Sequence, residues 1–189
     1  MTIPRRKGDE EGFTLVELAV YSLLIGVVIA MVGGLIISVT MTQRTVSSVA
    51  AASNEAQVAA DSIATGVRNS SAFLVTTSGS DQILQARIAQ GSGTALTYVC
   101  AAWYYSSSND TIRYRQSTAA LGTITASSTT SWLLVTDGVE PTTGTGIFVG
   151  AKPDLSVSFT ATAGDNPPAQ VSTKVTVPSK WTGGTCFTA

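Results

Sequence analysis

Residues 12–34 read GFTLVELAVYSLLIGVVIAMVGG, apolar almost throughout, with one carboxylate, Glu17, near the start. From Leu18 to Val39, 22 residues, no side chain is charged. As a helix that run extends about 33 Å, enough to cross a hydrocarbon core of roughly 30 Å. The helical pattern continues beyond it. Val46, Val49, Ser53, Ala56, Ala60, Ile63 and Val67 follow one another at spacings of 3, 4, 3, 4, 3 and 4. They form a narrow stripe of mostly small residues along one helix face. Thr42, Gln43, Arg44, Asn54, Glu55, Asp61 and Arg68 lie mostly off it, and no Pro interrupts residues 5–140. One helix is therefore expected from about Phe13 to Asn69, on the order of 85 Å long. Asn69-Ser70-Ser71 is its expected stop, because short polar side chains compete for helical backbone bonds.

After residue 71 the pattern shortens into β-like runs separated by Gly, Ser, Thr and Asn. LTYVCAAWYY (96–105), the five-residue loop SSSND and TIRYRQS (111–117) read as a hairpin. SWLLVTDGV (131–139), GIFVG (146–150), LSVSFTATA (155–163) and AQVSTKVTVP (169–178) follow. LSVSFTATA and VSTKVTV alternate as half-buried antiparallel strands do. Gly164-Asp165-Asn166-Pro167-Pro168 reads as the turn between them. The expected fold class is α+β: a long N-terminal helix whose second half packs on an antiparallel β-sheet.

Arg5, Arg6 and Lys7 precede the apolar run, which favours a cytoplasmic N-terminus and an exported C-terminus. Asp9, Glu10 and Glu11 offset that charge but count little in the rule. A conventional secretory signal has a shorter apolar core with small residues after it. Here the small residue, Gly12, comes before the apolar core. Cutting there would remove a charged leader and leave the span attached to the exported domain.

Gly12-Phe13-Thr14-Leu15-Val16-Glu17-Leu18 resembles the class III signal of type IV prepilins and type II secretion pseudopilins. The resemblance implies cleavage after Gly12 by a prepilin peptidase and N-methylation of Phe13. It also implies a role for Glu17 in filament assembly, pairing with the amino terminus of a neighbouring subunit. On that reading residues 1–12 are a leader peptide and 13–39 the transmembrane and assembly helix. Residues 40–70 are the exported half of the helix, and 71–189 a β-rich head. Partners would be other pilin subunits, the peptidase, an inner-membrane assembly platform and, before assembly, membrane lipid. The protein would sit in the cell membrane as a single-pass protein, then in a surface pilus or pseudopilus. AADSIATGVRNSSAFLV and LLVTDGVEP further resemble stretches of larger minor pilins and J-type pseudopilins, which act in filament initiation at the tip. The alternative is a tip adhesin or a DNA-binding minor pilin of a competence system.

Composition narrows the chemistry. Only 12% of residues are charged, against a usual quarter, and the formal net charge is −1. That leaves no electrostatic footprint for nucleic acid, which is not an expected partner. There is no His, so the commonest general base and metal ligand are missing. No nucleophile elbow, phosphate-binding loop or C-x-x-C occurs; no enzymatic activity, catalytic residue or cofactor is expected. Asp137, Glu140, Asp154 and Asp165 are scattered without the spacing of a calcium loop, so no metal site is expected. Cys100 and Cys186 make an even count in a region expected to be exported, which reads as one disulfide; two buried thiols are the alternative. Tyr98, Trp103, Tyr104, Tyr105, Tyr114, Arg113 and Arg115 gather on the expected hairpin. Of these, Arg113, Arg115, Trp103 and Tyr105 are the candidate ligand surface, for a base or a sugar to stack on. The plainer reading turns Ile112 and Tyr114 inward and leaves Arg113 and Arg115 solvated on the other face.

Overall fold

A computed structural model describes residues 14–91, 97–142, 144, 146–177 and 186–187. The architecture is α+β, as the sequence predicts. One helix, α1 (Leu15–Arg68), precedes nine strands. These are β1 (Ser70–Ser78), β2 (Asp81–Gln90), β3 (Thr97–Ser106), β4 (Thr111–Ser117), β5 (Leu133–Thr136), β6 (Val139–Pro141), β7 (Phe148–Ala151), β8 (Asp154–Ala163) and β9 (Asn166–Thr176). A single 3₁₀ turn (Ala126–Thr129) lies between β4 and β5. The chain forms two compact units that meet between Thr45 and Val46.

In the first unit α1 is long and apolar enough to cross a membrane, and its apolar window buries nothing within the protein. The helix manages its polar side chains internally. The hydroxyls of Thr40 and Thr42 donate to the carbonyls of Ile36 (2.8 Å) and Ser38 (3.0 Å), one turn back. Thr45 does the same to Met41 (3.3 Å). A hydroxyl satisfied by its own helix needs no water, which suits an apolar surround.

In the second unit the later turns of α1 bury Ala56, Ala59, Ala60, Ile63, Ala64 and Val67. The expected stripe is real from Ala56 onward; Val49 and Ser53 are half-buried, whereas Val46 is exposed. The helix ends where the polar triplet predicts. The Ser70 hydroxyl donates to the Val67 carbonyl (2.6 Å), supplying a partner that the helix end lacks.

The expected single sheet is two. β1-β2-β3-β4-β5 form one antiparallel sheet in chain order. In the other, β8 pairs with β9 along its length and with β7 and β6 on its opposite edge. β1 and β2 are the elements the sequence pattern misses. Their burial does not alternate with polarity: Gln82 and Gln85 are both buried in β2. The expected turn at 164–168 tightens to Gly164-Asp165, since β9 begins at Asn166 opposite Ala163. Gly164 takes φ +66 there, the positive φ that a two-residue hairpin turn requires.

The five-stranded sheet is covered on both faces. Leu84, Ala86, Ala101, Trp103, Tyr105 and Ile112 join the helix and Phe148, Leu155, Val157 and Phe159 of the second sheet in the main core. Ile83, Ala102 and Tyr104 face the other way, under Ile124 and Trp132 from the segment between β4 and β5. Gln82 ties the sheets together: the Phe148 amide donates to its Oε1 (2.9 Å) and its Nε2 donates to the Phe148 carbonyl (3.2 Å).

Candidate functional site

Three of the residues singled out by sequence concern the N-terminal segment. Gly12 and Phe13 lie outside the described residues. Glu17 lies in the first turn of α1 and is exposed. Its amide donates to the Thr14 hydroxyl (3.3 Å), and the Tyr21 hydroxyl donates to its carboxylate (3.4 Å). Thr14-x-x-Glu17 has the spacing of a capping box, a signal that sequence reasoning left unused. The carboxylate also lies at the positive end of the helix dipole. The Tyr21 hydroxyl, one turn along the same helix, is thus the local partner of the Glu17 carboxylate.

Cys100 and Cys186 are joined as a disulfide, their Cα atoms 5.2 Å apart. The link spans 86 positions and fastens the C-terminal region to β3.

The hairpin cluster divides across the sheet. Trp103 and Tyr105 are buried on the inner face, 1% and 3% exposed. They present no ring to a ligand, which corrects that part of the expected surface. Strand alternation explains it: both share the face of Leu84 and Ile112, against α1. Tyr114 packs tilted on Trp103, with ring centroids 5.1 Å apart. Arg115 is exposed, as the plainer reading expects. Arg113 is not simply solvated. It is half-buried, and its Nη1 donates to the carbonyls of Thr130 (3.3 Å) and Trp132 (3.2 Å). Those carbonyls come from 17 and 19 residues further along, a closure no local spacing signals.

The hairpin tip behind Arg113 is held by Asp81. Its carboxylate accepts from the Tyr104 hydroxyl, from the Ser107 amide (2.8 Å) and from the Ser107 hydroxyl (2.9 Å). Burial alone raises the Asp81 pKa, but the three donors together outweigh it and hold the carboxyl below its ordinary value. Burial pushes the Tyr104 phenol far up, and the Asp81 hydrogen bond and charge add to that. Asp81 and Tyr104 are therefore a fixed charged anchor. Asp154, one of the scattered acids, pairs with Lys174 (3.7 Å) at the surface and accepts from Thr176 (2.6 Å). Among the described residues, no group of three or more acids or cysteines is placed to hold a metal ion.

No protein-family profile, curated protein or solved structure matches the chain.

Proposed function

We propose that the chain is a structural subunit, a minor pilin or pseudopilin, of a type IV pilus-like filament. It is made as a prepilin, cut after Gly12 and N-methylated on Phe13, and it acts in filament initiation at the tip. The observation that carries this reading is the plan of α1. Its first part is apolar and buries nothing in the protein, its last part belongs to the core of a β-rich head, and one carboxylate stands in its first turn. The sequence Gly12–Leu18 supports the same reading.

The chemistry of Glu17 supplies the mechanism. A carboxylate in a membrane helix costs on the order of 2–3 kcal/mol even on insertion scales. The Tyr21 hydroxyl lessens that cost in the single chain without neutralising the charge. Cleavage after Gly12 creates a positive amine on Phe13. A neighbouring subunit that brings its amine to Glu17 removes two costly charges from lipid at once. The role is non-enzymatic; the partners are other subunits, the prepilin peptidase and the inner-membrane assembly platform. The chain resides in the membrane before assembly and in the surface filament after it.

Glu17→Ala tests this. Membrane insertion should be unchanged, and recovery of the variant in sheared filaments should fall at least about tenfold, the loss expected for an ion pair formed in lipid. Equal recovery of variant and native chains contradicts the assembly role.

A further inference from the structure

Beside the 3₁₀ turn, on the outer face of the five-stranded sheet, lies a cavity of about 470 Å³. That is within the range of small-molecule sites, roughly 300–1,000 Å³. Asn109, Thr111, Arg113, Thr130, Leu134 and Asp137 are among its lining residues. Two features distinguish it from a solvent-filled dent.

The first is Arg113. Two main-chain carbonyls hold one end of its guanidinium, so the group is oriented before anything binds. No carboxylate among the described residues pairs with it. A guanidinium with its Nη2–Nε edge uncommitted matches a carboxylate with two parallel hydrogen bonds. The second is the mixture of the remaining lining. The exposed Asp137 carboxylate accepts hydroxyls, the Asn109 Oδ1 accepts while its Nδ2 donates to Ser106 (3.2 Å) and Ser108 (3.3 Å), and Leu134 gives one apolar wall.

We infer that this cavity binds an acidic sugar, a uronic-acid unit alone or at the end of a glycan. Arg113 takes the ring carboxylate. Asp137 and Asn109 take ring hydroxyls, and Leu134 lies against the apolar C–H face. A bare anion would gain Arg113 but offer no hydroxyl to Asp137; a neutral sugar would leave Arg113 unanswered. This inference stands apart from the filament proposal. It concerns the head alone, so failure of filament assembly leaves it intact, and the reverse.

The test uses the full chain in detergent micelles, with its disulfide formed, titrated with glucuronate, glucose and acetate by calorimetry and ligand-observed NMR. Glucuronate should bind saturably, with glucose and acetate each about tenfold weaker or worse. Arg113→Gln should weaken glucuronate about tenfold or more, and Asp137→Asn several-fold. Because Arg113 also braces the loop, Asp137→Asn, at an exposed side chain, is the decisive variant. No saturable glucuronate binding overturns the inference. So does acetate or glucose binding as well as glucuronate. Unchanged affinity in Asp137→Asn overturns it too.

Discussion

Gly66 of α1 lies against the ring of Trp103 in β3: a Cβ placed on Gly66 would come 2.5 Å from the indole Cη2. The absence of a side chain there lets the helix approach the sheet over its largest buried residue. Ala would gain about 1 kcal/mol in helix propensity. Against that, overpacking a fixed ring costs roughly 1–3 kcal/mol. Gly66→Ala should therefore destabilise the head by about 1 kcal/mol, read as a lower urea midpoint by tryptophan fluorescence. Gly26→Ala, where nothing lies within 4 Å, should not lower it.

Gln82 acts as a side-chain substitute for a strand partner, bonding both the amide and the carbonyl of Phe148. Its place also depends on Gly146, whose φ is +99 and where any Cβ would collide with the Gln82 amide. Gln82→Leu keeps the volume but leaves two buried backbone groups unpaired, at about 1–3 kcal/mol each. The expected loss is roughly 2–5 kcal/mol, measured by urea unfolding, with amide exchange at Phe148 accelerated.

The disulfide closes a long loop. For a sequence separation of 86, the loop-entropy account gives about 4–5 kcal/mol as an upper figure. Cys100→Ser with Cys186→Ser should lower the unfolding free energy by about 2–4 kcal/mol. A reductant should reproduce that loss in the native chain and have no effect on the double variant.

Much of this architecture was legible before the structure. The spacing from Ala56 to Val67 located the helix face because small apolar residues at intervals of 3 and 4 leave few other arrangements. β8 and β9 were legible because each has one solvated face. β1 and β2 were not. In β2 both faces are covered, so Gln82 and Gln85 sit buried where alternation would place polar residues outside. The same second layer hid the chemistry on the outer face. Trp132 is buried while its neighbour Leu133 is exposed, and the carbonyls that brace Arg113 come from that segment. A side chain held by main-chain atoms of a distant loop leaves no pattern in composition or period. The placement of Trp103 and Tyr105 inside follows from alternation alone, once Ile112 and Leu84 are known to face the core.

Asp81 gives the head a defined acid response. Its folded pKa lies below the ordinary value, so the hydrogen bonds to its carboxylate contribute fully above about pH 4, where the unfolded group is also ionised. That contribution fades as pH falls through the lowered folded pKa. Asp81→Asn should melt roughly 3–6 °C below the native chain at pH 7. The difference should shrink as pH falls below the ordinary carboxylate range and the native carboxyl takes up its proton. A difference that stays constant across that range would show that the charge contributes nothing.

The filament account rests on what happens at Gly12 and Phe13. Intact-mass and N-terminal peptide mass spectrometry of the chain, purified from membranes of the cell that produces it, measures this directly. The account predicts a mature chain that begins at Phe13 and carries a methyl group on its amine. A mature chain that retains residues 1–12, with Phe13 internal and unmodified, would contradict it.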